Sequence, residues 1–230
     1  MAADLNSPLI DWSRIEAVLF DMDGTLLDLH FDNHFWLEHL PRRYGELFGL
    51  SADEAKATLF PRFAAKRGSL DWYCVDFWSR ELGVDIEALK REETVRIALR
   101  PHALDLLEWL GQQGKRRILA TNAHRKSLEL KLAHTTLGKH FELMVSSHDF
   151  GHAKEHDAFW PAFARKCHLQ LDRCLFIDDS LDVLRAARRN GVGALLAIPT
   201  PDSTAASKDT GEFIAISDFR LLMQAPELRP

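Results

Sequence analysis

Phe20-Asp21-Met22-Asp23-Gly24-Thr25-Leu26 is the stretch whose reading decides the fold. The apolar run before it, Ala17-Val18-Leu19-Phe20, reads as a buried strand. Gly24 stops that strand just after two carboxylates placed one residue apart. Side chains at i and i+2 of an extended chain share a face, so Asp21 and Asp23 converge on one small volume. Two ionised carboxylates in one pocket repel each other unless a cation or a shared proton intervenes. The stretch therefore asks for a metal, a proton shuttle, or both.

Downstream, residues 28–100 change character. They are rich in aromatics, among them Phe31, Phe35, Trp36, Trp72, Tyr73 and Trp78, and show no strand alternation. Residues 35–48 and 52–66 carry apolar side chains at three- and four-residue spacing, the signature of amphipathic helices. Ser51 and Glu54 form a capping box at the start of the second. This region is expected to be an all-helical insertion.

From Arg100 the pattern alternates. Pro101 is expected to open a helix that Gly114 closes. Residues 117–121, 143–146, 174–178 and 193–198 read as strands, and 123–137, 155–167 and 181–190 as the helices between them. Pro161 predicts a kink or break in the second of these. Residues 199–211 read as a loop, with Ile214-Ala215-Ile216 as an edge strand and a short helix near Leu221. Strands alternating with helices imply a parallel sheet with helices on both faces, a three-layer α/β fold.

Ligands of open α/β sheets bind beyond the carboxyl ends of the strands. The residues expected there are Asp21 and Asp23, Thr121 and Asn122, Lys154, and Asp178 and Asp179 followed by Ser180. Four carboxylates suit a hard divalent cation, and Mg²⁺ is the usual one where phosphate also enters. A hydroxyl, helix-start amides and an ammonium suit a phosphoryl group. On this reading Asp21 attacks phosphorus, the metal and Lys154 neutralise the phosphoryl oxygens, and Asp23 moves the proton.

Composition narrows the alternatives. The 230 residues carry a net charge of −5, which argues against a nucleic-acid polymer as partner. No apolar run approaches the roughly 18–20 residues of a membrane span, and Met1-Ala2-Ala3-Asp4-Leu5-Asn6-Ser7-Pro8 lacks the regions of a secretory signal. Cys74, Cys167 and Cys174 are an odd set without CxxC spacing, so a thiol-reduced, cytoplasmic protein is expected. His148, His152 and His156 recur every four residues, but Gly151 interrupts them, and the oxygen-rich set accounts better for a metal.

Asp21-Met22-Asp23-Gly24-Thr25-Leu26, Thr121-Asn122, Lys154 and Asp178-Asp179 together resemble the four ordered motifs of the haloacid dehalogenase-like (HAD) phosphohydrolases. The resemblance implies a Rossmann-like core formed by residues 1–27 and 101–230, with residues 28–100 as a helical cap. It makes Asp21 the nucleophile, Asp23 the acid/base, Thr121 a phosphate ligand and Lys154 the stabilising cation. It also implies Mg²⁺ held by the Asp21 side chain, the Asp23 backbone carbonyl and the Asp178/Asp179 pair, with Asp179 the favoured direct ligand. Dehalogenation is disfavoured, because that chemistry needs neither a second aspartate nor a metal.

Within the cap, Asp28-Leu29-His30-Phe31-Asp32-Asn33-His34-Phe35-Trp36 and Leu70-Asp71-Trp72-Tyr73-Cys74, with the stretch 115–124, are similar to the HAD-type purine 5′-nucleotidases. This implies a small-molecule phosphomonoester substrate of the GMP/IMP type, with a sugar phosphate or phosphoglycolate as the alternative. A purine needs a stacking platform. Phe31, Trp36, Trp72 and Tyr73 are the candidates, and Asn33 is a candidate for the base edge. Lys154 departs from the family by preceding Glu155, where many members have proline.

Overall fold

In the computed structural model, which describes residues 9–223, β1 (Ala17–Phe20) lies inside the sheet and is buried along its whole length. Residues 1–8, read above for a secretory signal, lie outside the described residues. The helical region follows as α1 (His30–His34), α2 (Leu40–Phe48), α3 (Ala52–Lys66), α4 (Val75–Leu82) and α5 (Ile86–Arg91). The chain then runs through α6 (Ala103–Gln112), β2 (Arg116–Thr121), α7 (Arg125–Ala133), β3 (Leu143–Ser146) and α8 (Phe159–Cys167). It continues with β4 (Cys174–Asp178), α9 (Leu181–Arg189), β5 (Ala194–Ala197) and β6 (Ile214–Ala215).

The sheet order is β3-β2-β1-β4-β5-β6, and every pairing is parallel. β1 is flanked by β2 and β4, with Phe20 opposite Leu119 on one side and Ile177 on the other. The alternation of a strand then divides its side chains between two cores. Val18 and Phe20 pack with Leu106, Leu107 and Leu110 of α6, whereas Ala17 and Leu19 pack with α8 and α9 through Trp160, Phe163, Leu184 and Ala187. A strand covered on both faces carries the continuous apolar run seen in the sequence. The chain order reverses direction across β1 and β4, so their carboxyl ends open the crevice in which this architecture binds ligands.

The helical region has a core of its own, built on Phe35, Leu59, Phe63, Trp78 and Ile86. Its two connections to the sheet run side by side. Leu27 and Leu99 form an antiparallel bridge, the Asp28 N–H donates to the Ala98 carbonyl at 2.9 Å, and the Arg100 N–H donates to the Leu26 carbonyl at 2.9 Å. The Ser51–Glu54 capping box forms as expected. Between α1 and α2 the helix widens to π pitch over Phe35–His39, just before Pro41, which has no N–H to return to the preceding turn.

Three expected boundaries move. The α6 helix begins at Ala103 rather than at Pro101, because His102 caps it in the left-handed region at φ 61°. The helix after β2 is shorter than 123–137: it covers Arg125–Ala133, with a separate 3-10 turn at Leu137–His140. The helix expected over 155–167 starts at Phe159, which puts Pro161 in its first turn. Backbone N–H groups there have no intrahelical partner to lose, so the proline causes no kink.

Candidate active site

The loop that carries Asp21 and Asp23 starts where β1 stops. Asp21 keeps one sheet bond, its N–H donating to the Ile177 carbonyl at 3.0 Å, and the chain then turns. The N–H groups of Leu26 and Leu27 return to the Met22 carbonyl at 3.0 and 2.8 Å. Gly24 is required at this turn for two reasons. Its φ is +87°, and a Cβ there would lie 2.9 Å from both Asp179 Cγ and Pro201 Cβ. Asp21 and Asp23 thus share a cavity through a turn rather than through continued strand geometry, and each meets a different lysine.

Lys154 is the first of these. It is buried, and its Nζ donates to Asp21 Oδ1 at 2.5 Å and to Asp178 Oδ2 at 2.8 Å. Burial alone would discharge the ammonium, but Asp178 and Asp21 hold its pKa above the ordinary value. The carboxylates respond oppositely: burial pushes Asp21 and Asp178 up to about 6 against the pull of Lys154. Burial also raises Asp179, opposed by Lys208 at 3.0 Å. The remaining oxygen of Asp178, Oδ1, accepts the Ser180 N–H at 2.7 Å, at the start of α9.

The loops after β2 and β3 are locked together by Asn122. Its Oδ1 accepts the Lys154 N–H at 2.9 Å, and its Nδ2 donates to Glu155 Oε2 at 2.9 Å. Tyr73, from the helical region, donates its hydroxyl to Glu155 Oε1 at 2.5 Å. Glu155 thereby ties the helical region to the loops after β2 and β3. Thr121 is buried at the end of β2, and its Oγ1 accepts the Ala123 N–H at 3.0 Å.

A cavity of about 300 Å³ unites these groups. Asp21, Asp23, Thr121, Asn122, Lys154, Asp178 and Asp179 line it from the sheet side of the chain, and Asn33, Trp36, Trp72 and Tyr73 line it from the helical region. Trp36 and Trp72 lie nearly parallel, at 23° with ring centres 6.4 Å apart. Asn33 is already engaged, its Nδ2 donating to Asp202 Oδ2 at 2.8 Å. Phe31 does not line the cavity: it is buried, with the ammoniums of Lys90 and Lys131 over its ring at 5.0 and 5.3 Å.

Lys131, Asp32 and Lys90 were missed by sequence reasoning. Lys131 sits on the buried face of α7 with Ser127 and Leu128, a position where helical spacing predicts an apolar side chain, and that mismatch was the available signal. Its Nζ lies 2.6 Å from Asp23 Oδ1 and donates to Asp32 Oδ2 at 2.6 Å, and Lys90 donates to Asp32 Oδ1 at 2.9 Å. Burial raises Asp23 to about 6 despite Lys131, whereas Lys131 and Lys90 overcome burial at Asp32 and hold it well below the usual carboxylate range.

The three spaced histidines do not come together. His152 and His156 stack on each other, while His148 meets His124 edge-on at 4.9 Å, and these two lie with Cys74 as a nitrogen–sulfur cluster apart from the carboxylates. The donor set that suits a hard cation is the oxygen one. Carboxylate oxygens of Asp21, Asp178 and Asp179 lie within 4.8 Å of one another. Five carboxylates and three ammoniums line the cavity, with Lys208 against Asp179 as a fourth cation, so negative charge remains in excess for a bound cation to offset.

The sequence pattern of the haloacid dehalogenase-like hydrolases matches residues 15–191. The chain is 42% identical over 214 residues to the GMP/IMP nucleotidase YrfG of Escherichia coli, covering 93% of this chain and 96% of that one. It is 25% identical over 194 residues to the fructose-1-phosphate phosphatase YqaB of Escherichia coli, covering 80% and 97%. The fold is that of a HAD phosphatase from Thermococcus onnurineus, with a TM-score of 0.74 at 23% identity, covering 90% and 96%. Hydrolases of this family generally use a divalent metal, and among the described residues no helix is long and apolar enough to cross a membrane. The chain belongs to the haloacid dehalogenase-like hydrolase family.

Proposed function

We propose that this protein is a Mg²⁺-dependent phosphoric monoester hydrolase acting on purine nucleoside 5′-monophosphates of the GMP/IMP type. The observation that carries the reading is the cavity itself, lined both by the carboxylate–lysine cluster and by a pair of near-parallel tryptophans. The nucleotidase named above, similar over almost the whole chain, supports it. Residues 28–100 then serve as the cap over the core formed by 1–27 and 101–230. A cytoplasmic location belongs to the same reading.

In this mechanism an oxygen of Asp21 attacks phosphorus, forming a phosphorus–oxygen bond as the bond to the 5′-oxygen breaks. Asp23 gives its proton to the departing 5′-oxygen and the nucleoside leaves. Water then attacks the aspartyl-phosphate, Asp23 recovers a proton from it, and inorganic phosphate is released. Lys154 lies against both Asp21 and Asp178 and offsets charge on the phosphoryl oxygens, with Thr121 contributing its hydroxyl. Asn122 acts on the substrate indirectly, since its side chain is committed to fixing Lys154 and Glu155. Asp21, Asp178, Asp179 and the Asp23 backbone carbonyl are the groups that would hold Mg²⁺. Bound there, the ion supplies charge neutralisation and alignment of the phosphoryl group. Asp179 is favoured over Asp178 for direct ligation, because both Asp178 oxygens already accept hydrogen bonds.

Trp36 and Trp72 are the surfaces proposed to stack on the base, a contact worth roughly 1–3 kcal/mol. Phosphate release from a panel of monophosphates with Mg²⁺ present tests the substrate class. GMP and IMP should show the highest kcat/KM, and a higher value for a small sugar phosphate would sink the assignment.

A further inference from the structure

Lys131, Lys90 and Asp32 take no part in the phosphoryl-transfer steps above, yet both lysines are as buried as the core leucines, at 1% and 2% exposure. Burying an ammonium is costly unless it is paired, so two of them beside an active site call for a reason. The charges form a chain, Asp23–Lys131–Asp32–Lys90. Asp23 and Lys131 belong to the sheet and its helices, whereas Asp32 (α1) and Lys90 (α5) belong to the helical region. The chain therefore crosses between the two parts of the molecule at one link, Asp32–Lys131, of 2.6 Å.

The two carboxylates on Lys131 differ. Lys131 donates to Asp32 Oδ2 at 2.6 Å and lies equally close, at 2.6 Å, to Asp23 Oδ1, but Asp32 has a second cation in Lys90 whereas Asp23 Oδ1 has no partner besides Lys131. The ammonium is thus held between the two carboxylates, and its place beside Asp23 depends on Asp32 as the other anchor. Asp32 is in turn pinned by Lys90, whose Nζ lies over the rings of Phe31, Phe35 and Trp36 at 5.0, 4.5 and 5.4 Å. Two of those rings are buried and the third lines the cavity.

We propose that Lys131 is a positioning residue for the proton-transferring carboxyl of Asp23, and that Asp32, backed by Lys90, directs Lys131 only while the helical region is seated on the sheet. Proton donation is then aligned only over a covered pocket, where water is excluded from the reacting centre. The proposal rests on the reading of Asp23 as the proton donor.

The test compares first-turnover release of the leaving group from two substrates in the full-length protein with Mg²⁺. GMP releases a 5′-alkoxide that must be protonated as it departs, whereas p-nitrophenyl phosphate releases a phenolate that leaves without a proton. Lys131→Met should lower the GMP rate about tenfold more than the p-nitrophenyl phosphate rate, a part of the roughly 10²–10⁴ that general acid–base catalysis contributes. Asp32→Asn, which keeps the side-chain shape, should shift the same ratio in the same direction by about threefold, and it carries the test if Lys131→Met does not fold. A parallel loss on both substrates in the variant that folds would assign these residues a structural role and overturn the proposal. Asp23→Asn calibrates the comparison. If it fails to separate the substrates, the proton-donor reading falls and takes the proposal with it. If it separates them and Lys131→Met and Asp32→Asn do not, the proposal alone is wrong.

Discussion

Two buried lysines serve two aspartates of one loop, and they do so differently. Lys154 is clamped between Asp21 and Asp178, all three carried by the sheet and its loops. Lys131 is shared between Asp23 and Asp32, and so joins the sheet to the helical region. The first set is complete without the helical region, and the second is not. On the proposed mechanism the nucleophile is therefore held by the sheet and its loops alone, and the proton donor is tied to the helical region as well.

The largest effect expected from breaking this comparison is at Asp21. Asp21→Asn should lower kcat by about 10³ or more, since no other carboxylate takes the place of the nucleophile. Residual turnover near the native rate would show that the wrong aspartate carries the phosphoryl group.

Lys154→Met comes next, with an expected loss of about 10²–10³ in kcat, the range for removing one charge-stabilising donor. It should depress GMP and p-nitrophenyl phosphate equally, because the ammonium acts on phosphoryl charge common to both. A selective loss on GMP would erase the distinction between the two lysines. Thermal unfolding should also drop, because Asp21 and Asp178 are left buried without their cation, at a cost of about 3–5 kcal/mol.

The third expectation concerns pH in metal-free buffer. Burial raises Asp178 from 3.8 to about 6. A carboxyl raised in this way holds its proton more tightly folded than unfolded. Its stabilising contribution is complete below about 4 and is lost as pH rises through about 6. The native protein should therefore lose unfolding free energy relative to Asp178→Asn over that interval, by up to about 3 kcal/mol for a shift of about two units, read by denaturant unfolding. Adding Mg²⁺ to the native protein should reverse the trend. A flat difference between the two proteins across that interval would show that the carboxyl is not raised.

The smallest effect is assigned to Tyr73→Phe, which removes the hydroxyl that reaches Glu155. A loss of about threefold to tenfold in kcat/KM is expected, the equivalent of a net hydrogen bond. A larger loss than at Lys131 would make Glu155, rather than Asp32, the stronger tie between the two parts.

Much of this molecule was legible because the chemistry sits at strand ends. The apolar runs of β1 and β4 mark buried strands, and the aspartates that follow them are placed by that alone. Lys154 was legible for the same reason, lying in the connection between β3 and α8. Lys131 was not, because a lysine in mid-helix ordinarily reads as solvated surface. The helical spacing of α7 marks its position as one for an apolar side chain, but its partner Asp32, 99 residues away, is invisible to local periodicity. Asn122 was legible in place but not in use: its amide builds the Lys154 loop. Pro161 misled for a local reason, since its effect depends on which turn of the helix it occupies.

The most direct measurement is the steady-state comparison of GMP, IMP and fructose 1-phosphate as substrates at one Mg²⁺ concentration. With Trp36 and Trp72 lining the same cavity as the proposed phosphoryl site, kcat/KM for the two nucleotides should exceed that for the sugar phosphate by about tenfold or more, the value of one base-stacking contact. A sugar phosphate turned over as efficiently as GMP and IMP would contradict the nucleotide assignment.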